Sequence, residues 1–455
     1  MAVALLVALS NLMPAAASDP APELLQDINA GSGSGGHYDG AFFNEKYYFT
    51  ANDGLNGYEL WVYDGTNPAS IVQDIYPGSN SGFPYSFAVA NGKLYFRADD
   101  GINGYELWVY DGTNPASMVT DIYAGVSGSY PSGLTAFNNK LYFQAYDGIN
   151  GSELWVYDGT NPASMVTDIY PGVNSGGPWY LVVFQDKLYF RASDPVNGSE
   201  LWVYDGVNPA SLAQDIYSGP SGSWPKYLTV FNNKLYFNAD DGINGYELWS
   251  YDGTNASLAQ DIRPGASNLH GDPAFLTVFR DTLYFSANDG THGYELWSYD
   301  GTNLASMVQD IRPGSSNGQI YQLTVFENRL YFSANDGTNG AELWVYDGTG
   351  ATGFDLNSSG SSIEDMMGPN PYLRSTPLGL FFQATDGTTG FEIWRIAPAT
   401  VVAPPAAAAP YTGPIPTNYS DRTLGVGDQV TVRGVRLNLV TSCTIDGVTA
   451  VMSNQ

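Results

Sequence analysis

A repeat of about 47 residues constrains this sequence more than any other feature. The phrase Glu-Leu-Trp or Glu-Ile-Trp occurs eight times, and successive glutamates are 47, 47, 47, 47, 48, 47 and 50 residues apart. A unit of this length is typical of a four-stranded propeller blade and is longer than a leucine-rich, ankyrin or TPR unit. The repeated pairs are Glu59 and Trp61, Glu106 and Trp108, Glu153 and Trp155, Glu200 and Trp202, Glu247 and Trp249, Glu295 and Trp297, Glu342 and Trp344, and Glu392 and Trp394. We therefore expect eight similar β-units.

One unit divides cleanly into four strands. Turn signals such as Asn232-Asn233 and Asp252-Gly253 separate runs of aromatic and β-branched residues. The predicted strands of this unit are 227–231, 234–239, 246–251 and 256–262. Residues alternate between the two faces of a strand, and the third strand has large side chains on both faces. Stacked blades require sheets that are buried on both faces.

The two ends of the repeat array are complementary. Residues 24–28 resemble a lone fourth strand, whereas residues 372–396 supply three strands and lack a fourth. The N-terminal strand can complete the last blade and remove two sheet edges. We therefore predict an all-β, eight-bladed β-propeller of four-stranded blades over residues 19–397, with the ring closed by the N-terminal strand. An open array or two smaller rings are the alternatives.

Composition changes outside the repeats. Residues 1–18 contain a short apolar run followed by small residues, which is typical of a signal peptide. Residues 398–416 are rich in Ala and Pro and predict a linker. Residues 417–455 resemble the beginning of an immunoglobulin-like IPT/TIG module, so a truncated β segment is expected there. The leader-like start predicts a protein that is secreted or on the cell surface.

Charge and cysteine content exclude several classes of function. The formal net charge is −29, which argues against a nucleic-acid partner and against anionic membranes. The single Cys443 cannot form a disulfide within the chain. No segment is long and apolar enough to predict a transmembrane span.

The repeated phrases together resemble the bacterial ELWxxDGT repeat proteins. Glu-Leu-Trp-x-x-Asp-Gly-Thr is preceded by Leu-Tyr-Phe-x-Ala and followed by Asp-Ile-x-Pro-Gly, in the same order in most units. The resemblance covers nearly all of residues 24–396 and implies an exported or surface-associated propeller. The last unit departs from the pattern, because Glu392-Ile-Trp-Arg-Ile-Ala lacks Asp-Gly.

Aromatic residues in variable segments are the candidate ligand-binding residues. Trp179 and Trp224 are the two tryptophans outside the repeated phrase, and they lie where a fourth strand is expected to lead into the next blade. Flat aromatic side chains can stack on sugar rings or anchor a protein partner. The full predicted set is Trp179, Tyr180, Trp224, Tyr227, Tyr130, Tyr85 and His270. Alternatively, these rings pack against the neighbouring blade.

Repeated acids raise the possibility of a calcium site. In the sixth unit, Asn288, Asp289 and Glu295 could supply oxygen ligands, so calcium is a possible cofactor. The alternative is that each Asp caps its own turn and each Glu accepts bonds from loop N–H groups.

Catalysis receives little support from the sequence. The three histidines fall in different units, and carboxylates that could act in glycoside cleavage are the same in every repeat. The sequence thus predicts a non-enzymatic, exported or cell-surface propeller that binds an extracellular glycan or protein through variable loops on one face. The alternatives are a calcium-stabilised structural or adhesive repeat and a polysaccharide-active glycosidase or lyase.

Overall fold

The computed structural model describes residues 21–36, 38–265, 269–363 and 373–399, and the backbone of two further strands, Ser442–Ile445 and Val448–Val451. All regular secondary structure in these ranges is β. No helix of the described residues has the length and apolar character needed to cross a membrane.

Eight four-stranded antiparallel sheets form the blades, which confirms the predicted fold class. Blades 1 to 4 comprise β2 (Gly40–Phe43), β3 (Lys46–Asn52), β4 (Tyr58–Tyr63), β5 (Ser70–Gln73), β6 (Tyr85–Ala90), β7 (Lys93–Asp99), β8 (Tyr105–Tyr110), β9 (Ser117–Thr120), β10 (Ser132–Phe137), β11 (Lys140–Tyr146), β12 (Ser152–Tyr157), β13 (Ser164–Thr167), β14 (Trp179–Phe184), β15 (Lys187–Asp194), β16 (Gly198–Tyr204) and β17 (Ser211–Gln214). Blades 5 to 7 comprise β18 (Lys226–Phe231), β19 (Lys234–Asp240), β20 (Tyr246–Tyr251), β21 (Ala256–Gln260), β22 (Ala274–Phe279), β23 (Thr282–Asn288), β24 (Tyr294–Tyr299), β25 (Ser306–Gln309), β26 (Tyr321–Phe326), β27 (Arg329–Asn335), β28 (Ala341–Tyr346) and β29 (Ala351–Phe354). Blade 8 comprises β30 (Arg374–Thr376), β31 (Gly379–Ala384), β32 (Glu392–Ile396) and the N-terminal β1 (Glu23–Gln26).

The first strand of each blade lies nearest the axis of the ring. Each first strand contacts the first strands of both adjacent blades, and β2 also contacts β30, which closes the circle. The outer closure is made by β1, which pairs antiparallel with β32 through Glu23 opposite Arg395 and Leu24 opposite Trp394. The predicted closure by the N-terminal strand is therefore confirmed.

Large side chains fill the spaces between the blades. In blade 5, Leu235 and Phe237 of the second strand are fully buried against Tyr189 and Leu201 of blade 4. A fully buried Leu or Phe side chain contributes about 1.5–3 kcal/mol, and the same contact recurs around the ring. This packing explains why both faces of each predicted strand carry large residues.

The strand boundaries differ from the predicted ones mainly at the outer edge. The fourth strand of blade 5 ends at Gln260 and does not extend to Ile262. The backbone bends there, and the Ile262 N–H donates to the carboxylate of Glu247 at 2.7 Å. A side-chain acceptor thus replaces the strand partner.

The remaining predicted segments lie almost entirely outside the described residues. This applies to the signal-peptide-like residues 1–18 and to the predicted linker from residue 400 onward. In the predicted IPT/TIG-like region, Ser442–Ile445 pairs antiparallel with Val448–Val451.

Candidate functional site

The repeated glutamates hold the loops between blades. Glu59 is fully buried and accepts bonds from the backbone N–H groups of Ile75 at 2.7 Å and Gly82 at 2.6 Å. Burial raises the pKa of Glu59 to about 7, although these bonds favour the charged form. The same pattern occurs at Glu153, where Ile169 and Gly176 are the donors. These carboxylates are structural acceptors for the loop backbone.

The repeated aspartates secure turns. Oδ1 of Asp64 accepts the N–H groups of Thr66 and Asn67 at 2.9 and 2.8 Å, and Oδ2 accepts the Asn67 side-chain amide at 2.7 Å. These bonds lower the pKa of Asp64 to about 2. Asp53 makes the same three bonds in the loop between the second and third strands. The aspartates therefore cap their turns, which is the alternative to calcium binding given in the sequence analysis.

The predicted calcium ligands bond to different parts of blade 6. Asn288 accepts the Gly290 N–H, Asp289 accepts the N–H groups of Thr291 and His292, and Glu295 accepts the Ile311 N–H at 2.8 Å. Nowhere in the described part of the chain do three or more His, Cys, Asp or Glu side chains form a group suited to a metal ion. Calcium binding stays an untested prediction.

In blades 2 to 7, two positions at the start of the inner strand adopt left-handed backbone conformations. One lies in the loop before the strand and is occupied by Trp224 with φ of 53° and by Tyr130 with φ of 50°. The other lies at a β-bulge within the strand and is occupied by Tyr180, Tyr227 and Phe275, with φ of 59°, 58° and 57°. Strained backbone of this kind costs of order 1–3 kcal/mol per residue and clusters at functional sites.

Glycine occupies the same positions in other blades. Gly177 has φ of 55° at the loop position of blade 4, and Gly133 has φ of 64° at the bulge of blade 3. The backbone conformation therefore does not require an aromatic residue. An aromatic residue at either position accepts a conformational cost that Gly avoids, which directs attention to the aromatic side chains.

Aromatic rings on consecutive blades form an arc along one side of the axial channel. The ring centroids of Tyr180 and Tyr227 are 5.4 Å apart, those of Tyr227 and Phe275 are 5.0 Å apart, and those of Phe275 and Tyr321 are 5.6 Å apart. We call these four residues the aromatic arc. They lie just after the loops that connect one blade to the next, and therefore at that end of the channel.

A cavity of about 300 Å³ opens beside the arc. Its walls come from the first strands of blades 4 to 7 and include Tyr180, Tyr227, Phe275, Leu181, Val182, Leu228, Thr229, Leu276, Thr277, Gln322 and Leu323. The two threonine hydroxyls are already engaged, since Thr229 donates to the carbonyl of Leu276 at 3.1 Å and Thr277 to that of Leu323 at 3.0 Å. The wall is consequently apolar and aromatic, with few polar groups.

The opposite side of the ring has different chemistry. The bulge position is occupied there by Ser86 and Gly133, and Arg374 of blade 8 pairs with the buried Asp39 of blade 1. Asp39 also accepts the backbone N–H of Ser86 at 2.7 Å. The channel end is therefore asymmetric, with an aromatic wall facing small side chains and an ion pair.

Three cations stand over aromatic rings near the same end. The guanidinium carbon of Arg191 lies 5.4 Å from the ring centroids of both Tyr180 and Trp224. That of Arg97 lies 5.0 Å from Tyr85 and 5.3 Å from Tyr105. Lys226 Nζ lies 4.9 Å above the ring of Tyr246. Each arginine thus lies within cation–π distance of two rings.

The structure distributes the predicted binding residues between two groups. Tyr180 and Tyr227 belong to the aromatic arc, and Trp224 lies beside Arg191. Tyr85 lies beside Arg97, and Tyr130 packs on Tyr105, the second ring beside Arg97. Trp224 and Tyr130 are 43% and 51% exposed, so ligand contact is open to them.

Two of the predicted residues lie elsewhere or differ from their expected setting. Trp179 begins the first strand β14 and pairs with Arg191, so it is a strand residue and not a loop residue. His270 accepts the Tyr246 N–H on Nδ1 at 3.0 Å and packs on that ring, which gives it a loop-supporting role.

Sequence reasoning missed Arg97 and Arg191. Both occupy the variable position x of the repeated phrase Leu-Tyr-Phe-x-Ala. In the other blades this position is occupied by Thr50, Gln144, Asn238, Ser286, Ser333 and Gln383. This position points toward the loop of the next blade, as shown by the bonds from Thr50 to Pro84 O and from Asn238 to Asp272. The variation of this position within an otherwise constant strand was the sequence signal that could have identified Arg97 and Arg191.

Comparisons with known proteins show the fold alone. No family model matches the chain, and no curated protein is similar to it in sequence. Solved structures of similar fold include the β-propeller domain of the Trilobed protease from Pyrococcus furiosus, with 12% identity over 70% of this chain and 96% of that chain at a TM-score of 0.42. A prolyl endopeptidase structure is another, with 13% identity over 72% of this chain and 50% of that chain at a TM-score of 0.49. A puromycin-hydrolyzing peptidase of Mycobacterium tuberculosis is a third, with 10% identity over 73% of this chain and 55% of that chain at a TM-score of 0.46.

These findings correct the predicted function. The chain spans about half the length of the two larger peptidases, and the part that matches is a propeller. The solved structures of similar fold come from a protease and from peptidases, so the prediction of a non-enzymatic surface binder is wrong. The alternative of a polysaccharide-active glycosidase or lyase gains no support, since repeated carboxylates such as Glu59 and Asp64 are engaged in loop and turn bonds. The calcium-stabilised repeat stays an untested prediction.

Proposed function

We propose that the protein binds an extended peptide segment at the aromatic arc, with an apolar side chain of the segment placed in the axial cavity. The observation that carries the proposal is the cavity of about 300 Å³, walled by Tyr180, Tyr227, Phe275 and neighbouring leucines. That volume is at the lower end of the range of about 300–1,000 Å³ for ligand pockets and suits one or two side chains.

The polar groups of the wall favour a peptide over a sugar. A pyranose presents several hydroxyls that need partners, whereas Thr229 and Thr277 already donate to backbone carbonyls. A peptide side chain brings no such requirement into the cavity. Its main chain can be met by inner-strand backbone, because each inner strand has a sheet neighbour on one side only.

Ligand-observed NMR with three probes tests the proposal. We expect the neutral dipeptide Ac-Leu-Phe-NH₂ to bind, because its side chains can enter the cavity, and Ac-Gly-Gly-NH₂ and cellotriose not to bind. Tyr227→Gly should weaken binding at least tenfold, since the removed ring is worth about 1.5–3 kcal/mol when covered by a ligand.

The chain offers a matched control for this variant. Tyr130→Gly removes another left-handed aromatic residue on the same face, but one that does not line the cavity. It should leave the dissociation constant unchanged. Binding of cellotriose, or equal loss in both variants, would contradict the proposal.

We also propose, from the leader-like residues 1–18 and the resemblance to exported repeat proteins, that the protein is exported. Fractionation of cells that express the full chain tests this, and recovery of the protein only in the cytoplasm would reject it.

A further inference from the structure

Among the described residues, Arg191 has no counter-ion. Its guanidinium is in no ion pair with a carboxylate of the described residues, and it donates no hydrogen bond within the same part of the chain. Burial lowers the pKa of Arg191, and the neighbours that oppose this shift are Tyr180 and Tyr246, with no carboxylate among them. In a chain with a net charge of −29, a cation without a carboxylate partner is unusual, and Arg191 lies next to Tyr180, which lines the cavity.

The two rings around Arg191 orient its guanidinium. Tyr180 and Trp224 lie at equal distances of 5.4 Å from the guanidinium carbon, and Tyr180 also lines the cavity. A guanidinium that stacks on rings through its faces keeps its N–H edge available, and that planar edge matches a carboxylate with two parallel bonds. Trp224 is itself fixed, since its indole N–H donates to Ser221 O at 3.1 Å.

Arg97 provides the contrast. It is stacked in the same way, but its Nε is buried without a partner, and the charge of Asp39 acts on it. The charge of Asp39 therefore acts on Arg97, whereas no carboxylate of the described residues is among the groups that act on Arg191.

We infer that Arg191 binds a carboxylate group of the ligand whose apolar side chain enters the cavity. The inference deepens the proposed function and rests on it. The ligand class becomes a peptide with an apolar side chain next to a carboxylate, which belongs either to the C-terminus or to an acidic side chain. Asp272 of blade 6, oriented by Asn238 and Tyr294, places negative charge near Tyr180 and disfavours polyanions.

The test compares three peptides on the full chain by ligand-observed NMR. Ac-Leu-Phe carries a C-terminal carboxylate, Ac-Leu-Phe-NH₂ carries none, and Ac-Asp-Phe-NH₂ carries a side-chain carboxylate. We expect Ac-Leu-Phe, Ac-Asp-Phe-NH₂ or both to bind at least tenfold more tightly than Ac-Leu-Phe-NH₂, and the one that gains identifies the source of the carboxylate.

Substitution at Arg191 should remove the preference and leave the cavity intact. Arg191→Gln introduces the residue that blade 3 carries at the equivalent position, Gln144, so the fold can accommodate it. This variant should bind Ac-Leu-Phe and its amide equally, at the affinity of the wild-type protein for the amide. Arg97→Gln is the control and should keep the preference.

The outcomes separate the two proposals. If the wild-type protein binds all three peptides equally, or if Arg191→Gln keeps the preference, the carboxylate inference is overturned while the peptide site stands. If it binds none of them, the proposed function fails and this inference fails with it.

Discussion

Arg374 of blade 8 donates to Asp39 of blade 1 across the seam where the ring closes. The two residues are 335 positions apart in sequence, and Asp39 is only 1% exposed. Asp39 also accepts the N–H groups of Ser86 and Phe87 from blade 2, so one carboxylate joins three blades on the inner side of the ring.

Removing the charge of Asp39 should weaken the closed ring. Breaking a buried ion pair costs about 3–5 kcal/mol, and because the Arg374 side chain is 29% exposed we expect about 2–3 kcal/mol for Asp39→Asn. Denaturant unfolding gives the value. In a double-mutant cycle with Arg374→Met, the two losses should be clearly non-additive, and additive losses would show that the pair does not couple the blades.

The N-terminal strand should be as firmly held as an internal one. Ile28 is 7% exposed and Ile169, its equivalent in blade 3, is 5% exposed. Ile28→Ala and Ile169→Ala should therefore destabilise the protein by similar amounts, about 2–4 kcal/mol each. A negligible effect at Ile28 beside a large one at Ile169 would mean that β1 does not close the ring in solution.

Stability should fall as pH rises through the range in which the buried glutamates ionise. Burial raises the pKa of Glu59, Glu153, Glu200, Glu247, Glu295 and Glu342 to about 7. Between the unfolded pKa of about 4.5 and this value, the folded state binds more protons than the unfolded state, so the free energy of unfolding decreases with pH.

The turn aspartates determine how stability changes at low pH. The pKa of Asp64, Asp158 and Asp205 is lowered to about 2 by their turn bonds, so their contribution is present above the unfolded value of 3.8 and is lost as pH falls toward 2. The melting temperature should therefore be highest near pH 5 and decrease toward about pH 8. Glu153→Gln should flatten the decrease. A melting temperature that rises steadily over this range would contradict the assignment.

Relief of left-handed strain should stabilise a turn on the opposite face. Asp186 has φ of 56° as the second residue of the tight turn between β14 and β15, where blade 2 has Gly92 with φ of 68°. Asp186→Gly should raise the free energy of unfolding by about 0.5–1 kcal/mol, because Gly adopts this conformation without a Cβ clash. Asp186→Ala serves as the comparison and should lower it, and a gain in both variants would exclude strain as the cause.

Most of the fold could be predicted from the periodic part of the sequence. The 47-residue spacing and the unmatched N-terminal strand were sufficient to predict eight blades and their closure, because each repeat encodes the same strands and turns. The third strand of blade 5 was predicted with its observed bounds, Tyr246–Tyr251. The fourth strand was predicted too long, since the Glu247 carboxylate that takes over the Ile262 N–H is remote in sequence.

The candidate site was only partly predictable for a related reason. Tyr180, Tyr227 and Trp224 were identified because aromatic residues are conspicuous in segments that vary. Their grouping depends on which strands face the axis and on the bulge that turns Tyr180 toward its neighbours. Arg191 was not found, because its position opposite Trp179 follows from strand pairing, which the surrounding Leu-Tyr-Phe-x-Ala motif does not specify.

The double closure of the ring has a consequence for how the protein folds and unfolds. Seven blades are each made from one continuous stretch of the chain and can form locally, whereas blade 8 needs strands from both ends of the repeat array. Contacts of such sequence separation form late and slowly. We expect the blades to form one after another and the ring to close last. The closed ring should then unfold slowly, because β1 and the Asp39–Arg374 ion pair must separate before any blade can unfold.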